Sequence, residues 1–382
     1  AQRSAYELES LVFLLISIGA AVTAAYDPAA LYKLLITVIM GMVLFLAMSG
    51  VLRDLHLSIR ARWPVAIAAG ALLAFNVVLG ERIFGAKNWI SIGPLSFQPS
   101  ELVKIAFILA GAATLDRLFA KRNLVFTILF SAYCVGCLAL MSDFGTALIF
   151  FVAFLCIAFL RTGDLPSIAM MVAAAAFGCG IILRFKPYIA DRFAAWRHAW
   201  DYAQDIGYQQ TRTMSAMASG GLFGVGPKDG WLKYVGAANT DLVFGVVGEE
   251  FGFLLALCCV AALVIPIVFT LRCAAAARSS FYTILSCATA AMLVFQTTLN
   301  VLGSVDLLPL TGVTFPFVSM GGSSMLSCWG LLAYLQAAAP PPVSVKAAPK
   351  APAPAVKPPQ ATGFLDELGV ATDDIFGKED AR

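Results

Sequence analysis

The residues in this chain best suited to chemistry are the charges set at or beside long apolar runs, because an ionised group at membrane depth is expensive and marks a functional site by default. Glu101 and Lys104 open one such run, after Pro99 and Ser100, which can start a helix. Glu101 then sits in the first turn, where the helix dipole favours an anion. At a spacing of three, the two side chains share a helix face and can pair. A salt bridge that merely orders the helix end is the plainer reading. Asp143, before Phe144-Gly145-Thr146, suits an N-cap; with a cation such as Lys104 it would join a buried network. Asp241 stands where a long polar loop re-enters apolar sequence, and helix capping is its plainer role. Ser319 and Ser323 belong to Leu308–Ser324, a segment rich in Pro, Gly, Ser and Thr between two apolar runs. Irregular backbone survives near lipid only where it is buried in protein or lines a wet cavity.

Other residue types offer less. The glycines of Gly220-Gly221-Leu222-Phe223-Gly224-Val225-Gly226 permit tight turns and close approach to a ligand, but no G-K-[ST] follows, so they are not a P-loop. Two histidines, His56 and His198, exclude a His-rich metal site. Of the nine cysteines, Cys134 and Cys137 form a C-x-x-C, yet inside an apolar run with no charge nearby they read as small buried hydrophobes rather than a redox pair.

The elements that must position these groups are set by composition. The 382 residues are 60% hydrophobic and only 13% charged, with a mean hydropathy of +0.84, against roughly 25% charged in a soluble domain. A soluble fold has no place for so much apolar surface. An all-α polytopic membrane protein of about ten transmembrane helices is expected. The apolar stretches run roughly over 8–26, 32–52, 63–84, 102–119, 124–141, 144–160, 165–183, 242–271, 281–303 and 321–339. The 242–271 stretch is long enough to include a lipid-facing or re-entrant start. Arg53, Arg60, Arg62, Lys121, Arg122, Arg161, Arg272 and Arg278 fall in alternate short loops, which places those loops and both termini in the cytoplasm. The remaining loops, 85–101, 142–143, 184–241 and 304–320, face outward. The longest, 184–241, lies between helices 7 and 8; long translocated loops escape the positive-inside bias, so its basic residues do not oppose this topology. No cleavable signal peptide is expected. Residues 1–339 form the membrane domain, and 340–382, rich in Pro and Ala, form a disordered cytoplasmic tail. Within that tail, 363–377 can form a short amphipathic helix, for partner docking or for nothing in particular.

The outward segments GAKNWISIGPLSFQPSELVK, SDFGTA, GYQ…ASGGLFGVG, TDLVFGVVGEEFG and LLPLTGV…PFVSMGGSS, in this order and spacing, resemble the SEDS family (shape, elongation, division and sporulation proteins) over roughly residues 8–339. The resemblance implies a ten-helix peptidoglycan glycosyltransferase at the outer face of the bacterial cytoplasmic membrane. Its substrate would be lipid II, a disaccharide-pentapeptide on undecaprenyl pyrophosphate. Its partner would be a class B penicillin-binding protein, the transpeptidase. The family's essential aspartate falls on Asp241, its Q-P-S-E-x-x-K pair on Glu101 and Lys104, and its D-[LF]-G-T aspartate on Asp143. The chain departs from the family at Gly236 and Ala237, Arg212-Thr213, Thr314, Met320 and Asn88, the last standing where many members carry Arg.

A β-1,4 link made from an α-linked pyrophosphate donor inverts the anomeric centre. One direct displacement suffices, with a base at the acceptor and positive charge at the leaving group. Asp241 is expected as that base. Lys87, Arg192, Arg197 and Arg212 are the candidate cations, Arg being the better bidentate phosphate binder. A divalent cation, Mg or Mn, is an alternative carrier of that charge, although no metal-ligand cluster is recognisable. Glu101, Lys104, Asp143, Ser319 and Ser323 are expected to shape the substrate cavity. Two rivals stand beside this reading: a lipid II flippase, and a non-catalytic scaffold for the transpeptidase. Polar residues gathered at one face and the lack of an internal repeat weigh against a transporter.

Overall fold

A computed structural model describes residues 7–83, 85–92, 95–115, 121–185, 187–274, 277 and 279–337. The expected tail, 340–382, lies outside them. Each of the ten apolar stretches contains a helix: α1 (Glu7–Tyr26), α2 (Leu31–Val51), α4 (Arg62–Leu79), α5 (Pro99–Leu115), α6 (Lys121–Leu140), α7 (Phe144–Thr162), α8 (Leu165–Phe185), α12 (Phe253–Ala274), α13 (Ser280–Ser304) and α14 (Gly322–Ala337). Among the described residues, six of these (α1, α2, α4, α7, α12 and α13) are long and apolar enough to cross a bilayer, and apolar stretches 125–140 and 165–180 are shorter. The protein is an all-α polytopic membrane protein. Shorter helices are α3 (Leu55–Arg60), α9 (Pro187–Ala195), α10 (Tyr208–Gly220) and α11 (Val243–Glu250).

Burial separates a central helix from a lipid-facing shell. Two thirds of the α13 span is buried (67%), against 22% in α2 and α4. Accordingly α2 turns Leu35, Ile39, Val43 and Leu46 outward, as apolar lipid permits, while α13 buries Gln296, Thr297 and Asn300. Small residues let helices close on one another. A Cβ on Gly41 of α2 would lie 2.2 Å from Cδ1 of Trp329 of α14. That indole is fully buried and edge-on to Phe13, Phe45 and Phe317. Gly41→Val is therefore expected to cost about 1–3 kcal/mol by overpacking, read as a lower thermal midpoint of the detergent-purified protein; an unchanged midpoint would mean that the α2–α14 contact yields freely.

One expectation is corrected. The 63–84 span stops at Leu79, because Gly80 turns extended and the chain enters a three-stranded antiparallel ribbon, β1 (Glu81–Ile83), β2 (Ala86–Ile92) and β3 (Leu95–Phe97). The β2 alternation buries Asn88 and Ile90 and leaves Ser91 exposed. The 242–271 stretch is two helices, since Gly252 adopts φ 90 between α11 and α12. Backbone packs directly on backbone there: a Cβ on Gly252 would sit 2.3 Å from the Leu222 carbonyl oxygen, and Val225 and Gly226 N–H donate to the Glu249 and Glu250 carbonyls. The long loop 184–241 carries α9 and α10.

Candidate functional site

The four segments expected to face outward meet at one end of the bundle. Lys87 N–H donates to Met141 O (2.8 Å), Gln98 N–H to Ser323 Oγ (3.2 Å) and Met320 N–H to Asn239 O (2.9 Å). At their centre is Asp241. Ala237, in the left-handed region at φ 64, offers one carbonyl to the N–H groups of Thr240, Asp241 and Leu242 at 3.2, 3.0 and 3.2 Å. This tight turn delivers the aspartate just ahead of α11. Its carboxylate faces Gly312, also left-handed at φ 70, where a Cβ would lie 3.2 Å from Asp241 Oδ2. Withdrawal from water pushes the carboxyl up to about 7; the Thr240 hydroxyl and the Arg192 guanidinium pull it back, and the Asp143 carboxylate adds to the rise.

Arg192, on α9, donates from Nη1 to Leu310 O at 2.7 Å, two residues before Gly312. Of the four candidate cations it is the one whose charge is felt at Asp241. Lys87 Nζ instead caps the end of α4, at 2.9 Å from both Val77 O and Val78 O. Arg212 lies over the Tyr208 ring, 5.1 Å from its centroid. Arg197 is exposed and left-handed (φ 62), its backbone N–H donating to Asp306 Oδ1.

Asp143 caps α7 through Oδ1 and the Thr146 N–H (3.2 Å). Its Oδ2 accepts from Asn88 Nδ2 (2.9 Å) and Gln98 Nε2 (3.0 Å). The expected Asp143–Lys104 link is thus replaced by two amides, because Lys104 is already taken: its Nζ lies 2.8 Å from Glu101 Oε1 and 2.9 Å from Gln296 Oε1. Gln296 passes the network on, donating to Thr314 O and Oγ1, and Thr314 Oγ1 meets Ser324 Oγ at 2.6 Å. Asp143 and Asp241 reach the same strip of chain from two sides. A Cβ on Gly145, in the first turn of α7, would touch Thr311 and Val313 at 2.8–2.9 Å. Ser319 Oγ donates to Thr240 O (2.6 Å) and accepts from Phe315 N–H, so it joins the two loops.

Sequence reasoning passed over Gln98, Gln296, Asn300 and Asp306. Gln296 and Asn300 carried a readable signal, two amides four apart inside an apolar span. Asp306 carried none; its carboxylate ties the 197–199 turn to Gln210. Among the described residues no three His, Cys, Asp or Glu side chains stand together as metal ligands. The arrangement offers a half-buried aspartate whose carboxyl is raised toward neutrality and feels a guanidinium charge: a proton acceptor in the field of an anion-binding group.

Fold and site together define a polytopic membrane protein with charged side chains gathered where its four outward segments meet. The model of the FtsW/RodA/SpoVE cell cycle proteins matches residues 8–340, and the chain belongs to that family. It is 30% identical over 336 residues (82% of this chain, 70% of the relative) to the peptidoglycan glycosyltransferase RodA of Mycobacterium leprae. The rod shape determining protein RodA of Thermus thermophilus superposes with a TM-score of 0.65 at 25% identity, covering 87% of this chain and 95% of that one. A chain of a peptidoglycan synthase complex that coordinates polymerization and crosslinking superposes with a TM-score of 0.72 at 26% identity, covering 87% and 96%.

Proposed function

We propose that the protein polymerises lipid II into glycan strands at the outer face of the bacterial cytoplasmic membrane, with both termini in the cytoplasm. The acceptor sugar hydroxyl attacks the anomeric carbon of the donor. The carbon–oxygen bond to pyrophosphate breaks, the configuration inverts, and the hydroxyl proton passes to Asp241. Arg192 meets the charge growing on the departing pyrophosphate. A divalent cation carried by that pyrophosphate would share the task without needing a protein cluster of its own. The arrangement that supports this reading most is the Asp241 carboxylate set against Gly312, with Arg192 held two residues away at Leu310 and the carboxyl raised to about 7, since a base works best with a pKa near the working pH. The relatives' activity as glycosyltransferases agrees with it. We also propose a class B penicillin-binding protein as partner, by likeness to the complex that couples polymerization to crosslinking.

The test is a gel assay of glycan chains made from lipid II by the purified full chain, with and without that partner. Asp241 must be ionised to accept the proton, so the rate should rise with pH through a limb near 7 and level off above it. A rate flat from pH 5 to 8 would remove Asp241 as the base. Lipid II translocation in vesicles without any glycan product would favour the flippase.

A further inference from the structure

We propose that Asn300 is a positioning residue for this reaction, its side-chain amide clamping the backbone of Asp241 to the 311–314 segment and so setting where the carboxylate points. The inference rests on Asp241 being the base. Asn300 lies near the end of α13 and is 2% exposed. Its Nδ2 donates to Asp241 O at 2.8 Å and to Val313 O at 2.7 Å, which uses both amide hydrogens. Its Oδ1 is buried with no hydrogen-bond partner. An unpaired buried carbonyl is costly, so this amide is kept in place by what its other end does.

The two carbonyls it joins bracket the site. One belongs to Asp241 itself. The other follows Gly312, the residue against which the Asp241 carboxylate rests. Ser319 to Thr240 O and Met320 N–H to Asn239 O are further stitches between the same two segments. Gly145 presses α7 on Thr311 and Val313 from behind. With Asn300 in place the aspartate turn and the 311–320 segment form one body anchored to α13, the most buried of the six long apolar helices. Without its donors, two carbonyl oxygens are left unpaired, the segments part, and water reaches the carboxylate.

The experiment measures polymerisation by the purified full chain across pH 5–9 for the wild type, Asn300→Leu, Asn300→Gln and Asp241→Asn. Asn300→Leu should lower the plateau kcat by about 10-fold or more with KM little changed, since misplacement of a base falls on kcat. Its acid limb should also move to lower pH by about one unit as the carboxyl regains water. Asn300→Gln, which keeps both donors, should recover part of the rate. An unchanged plateau overturns the proposal. So does a lowered plateau with the limb in place and no rescue by Gln, because that is the loss of folded enzyme alone. If Asn300→Leu does not fold, Ser319→Ala, which removes another stitch between the same segments, carries the same two readouts. If Asp241→Asn polymerises at the wild-type rate, the base assignment falls and the clamp with it. If Asp241→Asn is inactive while Asn300→Leu matches the wild type in rate and limb, the clamp alone falls.

Discussion

Asp241→Asn is expected to lower lipid II polymerisation by about 10²–10⁴-fold, the usual contribution of a positioned base, while leaving the protein folded. The amide has nearly the shape of the acid but cannot accept the proton. Stability supplies an independent check, with its sign set by the raised pKa. A carboxyl held near 7 in the folded protein binds its proton more tightly there than in the unfolded chain. Its protonation therefore supports the fold at low pH, and that support drains away as pH rises from the ordinary carboxylate range to about 7. The asparagine variant escapes this loss. Its thermal midpoint relative to the wild type should climb between pH 4 and 7 and stay level above. A variant that is inactive and also less stable than the wild type at pH 8 would mean that the carboxylate holds the loop together rather than serving the reaction. Full activity would dismiss the base outright.

Lys104→Met is expected to destabilise the protein by about 3–5 kcal/mol, the range for stripping one partner from a buried ion pair. Lys104 is 1% exposed and Glu101 5%, so no water replaces the lost ammonium. Glu101 would lose the group opposite it, and Gln296 Oε1 would lose the Lys104 donor. The double variant Glu101→Gln, Lys104→Met should regain most of the midpoint, because it removes the stranded carboxyl as well. Thermal unfolding in detergent reads both. A Lys104→Met midpoint equal to the wild type would show that the ammonium adds nothing to the fold. Glu101 Oε2 already lacks a partner, so the pair is held at a cost. Its place in the chain that runs through Gln296 to Thr314 and Ser324 ties it to the segment facing Asp241.

The helices and several site residues were legible before any coordinates. The ten apolar stretches each hold a helix because a long run of apolar residues in a bilayer can satisfy its backbone only internally. Glu101 and Lys104 pair because residues three apart share a helix face, and Asp143 caps α7 because the first N–H groups of a helix need an acceptor. These are local rules acting over a few residues. The ribbon at 81–97 was not legible, since its strands are short and cross the boundary of an apolar run. Nor was the break at Gly252, where the residue that makes the glycine necessary is Leu222, thirty positions earlier.

What the sequence determined by itself was therefore the class of molecule, the runs of chain that hold its apolar helices and the list of charges set beside them, because hydropathy and spacing act along the chain. Tertiary structure decided which of those charges meet. It put Arg192 rather than Lys87, Arg197 or Arg212 at Asp241, gave Asp143 two amides instead of a lysine, and brought Asn300 from another helix to hold the aspartate turn. The reason is physical: a hydrogen bond reaches only about 3 Å, and which groups come that close across four separate loops depends on how the helices pack, which no local spacing records.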